Sequence, residues 1–149
     1  MVANIRFALP EDIDFIFECI HQLGKFEGVE DTINVTKDTL FKWLFEQNIC
    51  QVLVGEVGNE RIGIALYYYN YSVYVGTRGM YLENLYLVPE YRRQGIGTQI
   101  MNYLCEIAKQ NACGVLTVSC LTYNAPANAF YASYKMQFKE AVNTYEIVF

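Results

Sequence analysis

The segment that most constrains this chain joins a strand-like run to an apolar-periodic helix through two closely spaced glycines. The run Met80 to Val88 ends at Pro89, and apolar residues recur with helical spacing from Ile96 to about residue 110. The turn between them contains Arg92, Arg93, Gln94, Gly95, Ile96, Gly97 and Thr98. A helix N-terminus offers unpaired N–H groups, and glycines let a ligand approach the backbone. The segment therefore predicts a phosphate or pyrophosphate site.

Two common glycine motifs do not fit this turn. A nucleoside-triphosphate loop needs Gly-Lys-Ser/Thr, but Thr98 follows Gly97 directly. A dinucleotide fingerprint needs a third small residue where Ile100 stands, and an acidic residue about 20 positions further on. A purely structural turn remains the alternative, although two arginines and two glycines together favour an anion site.

Composition narrows the class of partner. The 149 residues are 53% hydrophobic and contain no linker-like stretch, so we expect one domain over residues 1–149. A net charge of -5 disfavours nucleic acid and anionic membranes as partners and favours small cations. No signal-like start or membrane-length apolar run occurs, which predicts a soluble cytoplasmic protein.

The five cysteines and the single histidine match no metal or catalytic pattern. No C-x-x-C pair or paired Cys/His spacing is present, so we expect reduced core thiols and no metal. His21 lies among apolar residues, and we expect it to have a structural or surface role rather than a catalytic one.

Two amphipathic helices are predicted before the glycine turn. The first spans about residues 11–24, beginning after Pro10 and ending at Gly24. Thr36 or Asp38 caps a second helix. A further helix follows Asn124, with Pro126 in its first turn.

Alternating apolar residues predict the strands. The predicted strands are 5–8, 50–57, 62–71, 80–88, 115–120 and a closing strand at 145–149. Gly58, Asn59 and Glu60 separate two of them at hairpin length, which predicts an antiparallel pair. The order β-α-α-β-β-β-α-β-α-β is typical of an α/β (α+β) domain whose mixed, mostly antiparallel sheet is flanked by helices.

The residues of the turn also carry a resemblance. Arg92-x-x-Gly95-x-Gly97 is similar to the signature of the GNAT acetyltransferase superfamily, and Asn124-x-x-Ala127-x-x-x-Tyr131 resembles its second motif. The resemblance implies acetyl-CoA as co-substrate, with the pyrophosphate at Arg92 to Thr98 and the pantetheine arm on the backbone of Leu85, Tyr86 and Leu87. It also implies cofactor contacts from Asn124 and Tyr131.

Closer similarity is to the spermidine/spermine acetyltransferases and their thialysine-acetylating branch. The segments that carry it are 23–27, 65–69, 81–87 and 90–92. This resemblance implies a homodimer that moves acetyl groups directly to an amine of a small cationic acceptor, such as a diamine, a polyamine or a lysine analogue. Acetylation of a protein or peptide amine, and a non-catalytic acyl-CoA-binding module, remain alternatives.

Acetylation of an amine needs a base for the ammonium and a proton donor for the departing thiolate. An ammonium with a pKa near ~10 must lose a proton before its nitrogen can attack. Glu83 is the expected base, directly or through water, because a carboxylate in an apolar strand is costly unless it is paired or functional. Tyr131 is the expected donor to the departing thiolate, by resemblance and because a phenol donates without an unusual pKa.

The resemblance also suggests where the acceptor binds. The expected acceptor residues are Glu27, Ser72, Tyr74, Glu83 and Asn84. Ser72 stands where polyamine-type members have an aspartate, and Asn84 replaces a frequent aspartate, so spermine binding is less secure. Tyr74 offers an aromatic face for a cation. Glu27 is equally compatible with an ordinary solvated acidic loop.

Overall fold

The computed structural model describes residues 1–134, 136–139 and 144–149, which form two compact units, 1–119 and 120–149. The elements of the first unit are β1 (Asn4–Phe7), α1 (Ile13–Glu27), α2 (Lys37–Phe41), β2 (Gln51–Val57), β3 (Glu60–Ser72), β4 (Thr77–Leu87), α3 (Ile96–Gln110) and β5 (Cys113–Val118). The second unit contains α4 (Ala125–Ser133). Short 3-10 turns occupy Pro10–Asp12, Glu30–Thr32 and Pro89–Tyr91, and a π-helical turn, Lys42–Glu46, extends α2.

The five strands form one mixed sheet in the order β1-β2-β3-β4-β5. The first four strands are antiparallel to their neighbours, whereas β5 runs parallel to β4. The predicted hairpin is confirmed, with Val57 opposite Glu60 across the turn. Parallel neighbours need a crossover, and α3 supplies it between β4 and β5. The α/β (α+β) prediction is therefore confirmed.

Both faces of the sheet are covered by helices. One face packs against α1 and α2 through a cluster that comprises Ile16, Cys19, Leu40, Leu44, Cys50, Val52, Val54, Ile64, Leu66 and Tyr86. Neighbouring strand residues such as Leu53, Ala65 and Tyr67 point to the other face and are also buried. Helix α3 contacts β4 and β5 and buries Ile96, Ile100, Met101 and Leu104.

The end of α1 differs from the prediction. The helix continues through Gly24 to Glu27 and ends at Gly28, whose φ of 70° is left-handed. Gly24 is instead buried inside the helix, where a Cβ would overlap the side chain of Ile33. The glycine at position 24 is thus explained by close packing and the one at position 28 by backbone conformation.

Two other local predictions have different outcomes. Thr36 caps α2, as predicted, because its Oγ1 accepts a hydrogen bond from Thr39 N at 3.1 Å. The predicted closing strand at Tyr145–Phe149 is wrong: residues 144–149 are not extended against any strand, and the side chains of Tyr145 and Phe149 are exposed. Alternating apolar residues satisfy the strand pattern, but a strand also needs a neighbour that pairs with its backbone.

Candidate active site

The glycine turn presents a row of backbone N–H groups at the start of α3. Arg93 and Gly95 both have left-handed backbone conformations, with φ values of 61° and 81°. Nothing lies within 4 Å of the position where Gly95 would carry a Cβ. Within the described part of the chain, the N–H groups of residues 93–98 have no hydrogen-bond acceptor. Unpaired N–H groups at a helix start suit a pyrophosphate, so these residues fit that ligand.

The two arginines of the turn have different surroundings. Arg92 Nε donates to Leu87 O at 2.8 Å, and its guanidinium lies over the rings of Tyr86 and Phe26, 5.4 and 5.6 Å from their centroids. Arg93 is exposed. Arg92 therefore fixes the turn to the end of β4, whereas Arg93 is available to an anion in solution. Gln94 also stabilises the turn, because its Nε2 donates to Glu90 O at 2.8 Å.

Strand β4 has a free edge beside this turn. Pairing with β5 ends where Leu82 faces Val118, so residues 83–87 have no β5 partner. Val88 N donates to Ile62 O at 2.9 Å, and by alternation the backbone groups of Leu85 and Leu87 point away from β3. The carbonyl oxygen of Leu87 already accepts a hydrogen bond from Arg92. The backbone N–H and C=O of Leu85 and the N–H of Leu87 therefore remain at the free edge. This edge offers amide partners to an extended ligand such as a pantetheine arm.

Glu83 occupies an irregularity in the sheet. Asn84 pairs with Leu66 and Leu82 pairs with Tyr67, so Glu83 is the extra residue of a β-bulge. Its side chain is exposed and has no hydrogen-bond or ion-pair partner among the described residues. Although Glu83 stands in an apolar strand, the bulge turns its side chain to an accessible wall, and its role as the base stays a prediction. Bulges redirect side chains in this way next to active sites.

A pocket of about 620 Å³ opens beside Glu83 and lies entirely within the first unit. We call it the Glu83 pocket. Its lining residues are Ile20, Ile33, Asn34, Val35, Leu40, Trp43, Ile49, Cys50, Leu66, Tyr68, Glu83 and Asn84. Concave, mostly apolar sites of this size with a few polar groups are typical of small-molecule binding.

Two lining residues of the Glu83 pocket, Tyr68 and Cys50, have raised pKa values. Burial raises the pKa of Tyr68, and the charge of Glu83 raises it further. The ring of Tyr68 also stacks on Tyr81 at 5.1 Å. Burial raises the pKa of Cys50 to about 11. Both groups are therefore neutral near pH 7, and Glu83 is the one acidic residue among the described residues that line the pocket.

The expected acceptor residues are not all brought together. Glu83 and Asn84 line the pocket, whereas Glu27, Ser72 and Tyr74 do not. Ser72 Oγ accepts from Val75 N at 3.2 Å in the β3–β4 turn, and Tyr74 is 99% exposed at its tip. Glu27 is half-buried at the end of α1. Roles for these three residues stay predictions.

Asn124 and Tyr131 belong to the second unit. Asn124 is buried and caps α4, where its Oδ1 accepts from Ala127 N at 3.2 Å. Tyr131 is half-buried near the last turn of α4, 5.4 Å from Phe130 between ring centroids. The predicted helix is confirmed, and the roles of Asn124 and Tyr131 in cofactor binding and catalysis stay predictions. The region after Tyr134 includes position 135, outside the described residues.

Sequence reasoning missed two aromatic residues of the Glu83 pocket. Tyr68 follows Leu66 by two positions on β3, so strand alternation places both on one face. Trp43 is the single tryptophan of the chain and is 38% exposed. Its position is on the π-helical turn after α2, which the apolar pattern alone does not indicate. Alternation along β3 from Leu66 was the signal available for Tyr68.

The remaining candidate groups lie outside the pocket lining. His21 packs 4.5 Å from Phe17 between ring centroids, in line with a structural role. No cluster of three potential metal ligands occurs among residues 1–134, 136–139 and 144–149. No helix in this described part is long and apolar enough to cross a membrane.

The mixed sheet, the glycine turn before α3 and the bulged β4 agree with an acyl-CoA-dependent transferase. The model of the acetyltransferase (GNAT) family matches residues 18–136. The chain therefore belongs to the GNAT acetyltransferase family and is an acetyl-CoA-dependent N-acetyltransferase.

Relatives with known names support this membership. The chain is 32% identical to the thialysine N-epsilon-acetyltransferase of Mus musculus over 137 residues, 86% of this chain and 80% of the relative. Its identity to the Caenorhabditis elegans protein of the same name is 30% over 122 residues, 82% and 75% of the two chains. Identity to the human spermidine/spermine N(1)-acetyltransferase-like protein 1 is 27%, covering 87% of this chain and 20% of that one.

Solved structures share the fold. A possible acetyltransferase from Clostridium difficile 630 superposes with a TM-score of 0.79 at 22% identity, covering all of both chains. An aminoglycoside acetyltransferase from an uncultured soil sample gives 0.81 at 19% identity, covering 99% of this chain and 96% of the other. At such identities the likeness concerns the fold alone.

Proposed function

We propose that this protein transfers the acetyl group of acetyl-CoA directly to the primary amine of a small cationic acceptor held in the Glu83 pocket. The observation that carries this proposal is the unpaired carboxylate of Glu83 on the wall of a largely apolar pocket. The thialysine acetyltransferases, about a third identical to this chain, support a small amine acceptor. Within that class, a diamine, a polyamine and a lysine-like amine are the candidates.

The proposed reaction balances around one new bond. Glu83 accepts a proton from the acceptor ammonium, directly or through water, which frees the nitrogen lone pair to attack the thioester carbon. The C–N bond forms, the nitrogen loses its second proton to solvent, and the C–S bond breaks. The thiolate that leaves takes a proton from Tyr131, which is replaced from solvent. Ammonium and thioester thus become amide, free thiol and one released proton.

Two parts of the first unit would hold the co-substrate. The N–H groups of residues 93–98 would bind the pyrophosphate, aided by Arg93. The free edge at Leu85 and Leu87 would pair with the pantetheine amides. Acetyl-CoA supplies the activated acyl group, and these contacts position it for attack.

Cellular context and assembly are also proposals. The resemblance to diamine acetyltransferases supports a homodimer working in the cytoplasm, with residues 1–149 forming one domain. Sedimentation velocity tests the dimer, because a monomer at micromolar concentration would contradict it.

Thiol release with a panel of primary amines tests the proposed function. We expect Glu83→Gln to lower kcat about a hundredfold or more, because the amide cannot accept the proton. The remaining rate should rise with pH as more neutral amine forms. Glu11→Gln, which neutralises an exposed glutamate outside the pocket lining, is the matched control and should retain full activity. Unchanged turnover in Glu83→Gln would remove this residue from the mechanism. Tight acetyl-CoA binding without transfer to any amine would favour a binding module instead.

A further inference from the structure

The Glu83 pocket has room for an acceptor, but the described residues that line it include only one acidic side chain. Seven of its twelve lining residues are aliphatic or tryptophan: Ile20, Ile33, Val35, Leu40, Trp43, Ile49 and Leu66. The polar lining consists of Asn34, Cys50, Tyr68, Glu83 and Asn84. Glu83 is the one carboxylate among the described lining residues, and Cys50 and Tyr68 add no negative charge near pH 7, because burial raises the pKa of Cys50 to about 11 and also raises that of Tyr68.

A second ammonium would have no carboxylate partner in this pocket. Asn34 and Asn84 offer amide groups, which solvate a cation far less well than a carboxylate does. The acidic residues Glu30 and Asp31 precede the lining residue Ile33 in the sequence, but both are exposed and neither lines the pocket. Transfer of an unpaired charge to an apolar wall is costly.

We propose that the preferred acceptor is a monoamine: one ammonium carried on an apolar aliphatic or aromatic body. This inference rests on the proposed function and narrows its substrate class. The ammonium lies at Glu83, and the apolar body packs against Leu40, Trp43 and Ile49. A diamine or polyamine of similar length is a poorer acceptor, because its distal ammonium meets this apolar wall.

Pentylamine and 1,5-diaminopentane provide a direct test, since they share a carbon chain and differ by one terminal ammonium. Both resemble the lysine side chain, with a pKa near ~10.4, so protonation differs little between them. Measured at constant ionic strength, pentylamine should have the higher kcat/KM, by about tenfold or more. From propylamine to pentylamine, kcat/KM should rise about fourfold per methylene. 2-Phenylethylamine should also be accepted.

A charge placed on the apolar wall should reverse the preference. Ile49 is 56% exposed, so Ile49→Glu adds a carboxylate at the rim without burying it. We expect this variant to raise the diamine-to-monoamine ratio of kcat/KM about tenfold, whereas the uncharged Ile49→Gln control leaves the ratio near the wild-type value. The fluorescence of Trp43, the single tryptophan, should respond to pentylamine at lower concentration than to the diamine, which gives a readout independent of turnover.

The outcomes separate the two proposals. Acetylation of the diamine at equal or higher kcat/KM than pentylamine overturns the monoamine inference and leaves the proposed function standing. An unchanged ratio in Ile49→Glu also overturns the inference. Failure to acetylate any amine while acetyl-CoA binds overturns both proposals.

Discussion

Arg92 Nε donates a hydrogen bond to the carbonyl oxygen of Leu87 at 2.8 Å, and this bond fixes the glycine turn to the last residue of β4. The sequence alone would assign the side chain of Arg92 to phosphate binding. The bond also uses one of the backbone acceptors at the free edge of β4. We therefore propose that Arg92 positions the turn and that its neighbour Arg93 binds the co-substrate.

This division predicts different effects for two arginine variants. Arg93→Leu should raise the KM for acetyl-CoA about tenfold, through loss of a charge-assisted contact, with no change in stability. Arg92→Leu should raise the same KM and also lower the free energy of unfolding by about 1–2 kcal/mol, because a hydrogen bond and ring contacts are lost. Urea unfolding and substrate titration measure the two quantities. Equal stability of both variants would contradict the positioning role of Arg92.

The neutral thiol of Cys50 predicts direct transfer rather than an acyl-enzyme. With a pKa of about 11, fewer than about one in a thousand Cys50 side chains is a thiolate near pH 7.5. Initial velocities with both substrates varied should therefore give intersecting lines. Peptide mapping after iodoacetamide treatment should find residue 50 unmodified in the folded protein and modified after unfolding. A burst of thiol release without amine would contradict direct transfer.

Most of the secondary structure could be predicted because its signals are local. The hairpin turn at Gly58, the cap at Thr36 and the glycine turn before α3 each depend on a few adjacent residues. The end of α1 could not be predicted, because Gly24 serves a contact with Ile33, nine positions away. The false strand at 145–149 has the same origin, since pairing depends on residues outside the segment.

In the candidate site, too, the features that depend on residues distant in the sequence could not be predicted. Glu83 could be found as an acidic residue in an apolar run, but the bulge that exposes it follows from the register with β3. Tyr68 and Trp43 join the pocket because a strand and a π-helical turn converge there. Tyr74, chosen by resemblance, is instead at the tip of a hairpin. Local patterns identify reactive residue types, whereas tertiary packing decides which of them meet.

The assignment of Tyr131 predicts a turnover effect without a binding effect. Tyr131→Phe removes only the hydroxyl, so kcat should fall about tenfold to a hundredfold while the KM for the amine changes little. Tyr134→Phe is the matched control, because its ring also packs near Phe130 on the same helical segment. Undiminished turnover in Tyr131→Phe would remove this residue from the mechanism.

A buried carboxylate joins the first strands to the start of α1. Asp12 has no exposed surface; its Oδ2 accepts from Arg6 Nη1 at 2.7 Å and from Leu9 N at 2.7 Å, and its Oδ1 accepts from Arg61 Nε at 2.6 Å. Burial acts to raise the pKa of Asp12, but the hydrogen bonds from Arg6 and Leu9 outweigh it and hold the pKa below its ordinary value. The charged form of Asp12 therefore stabilises the fold.

Asp12→Asn should lower the free energy of unfolding by about 3 kcal/mol near pH 7, because two arginines lose a buried counter-charge. Asp14→Asn, which breaks an exposed pair with Lys37, should cost about 0.5 kcal/mol or less. In the unfolded chain Asp12 titrates near ~3.9, above its folded-state pKa, so its contribution is complete above that pH. The difference between wild type and Asp12→Asn should therefore shrink as the pH falls from 6 towards 3. Urea unfolding across this range measures it, and a constant difference would contradict the role of the Asp12 charge.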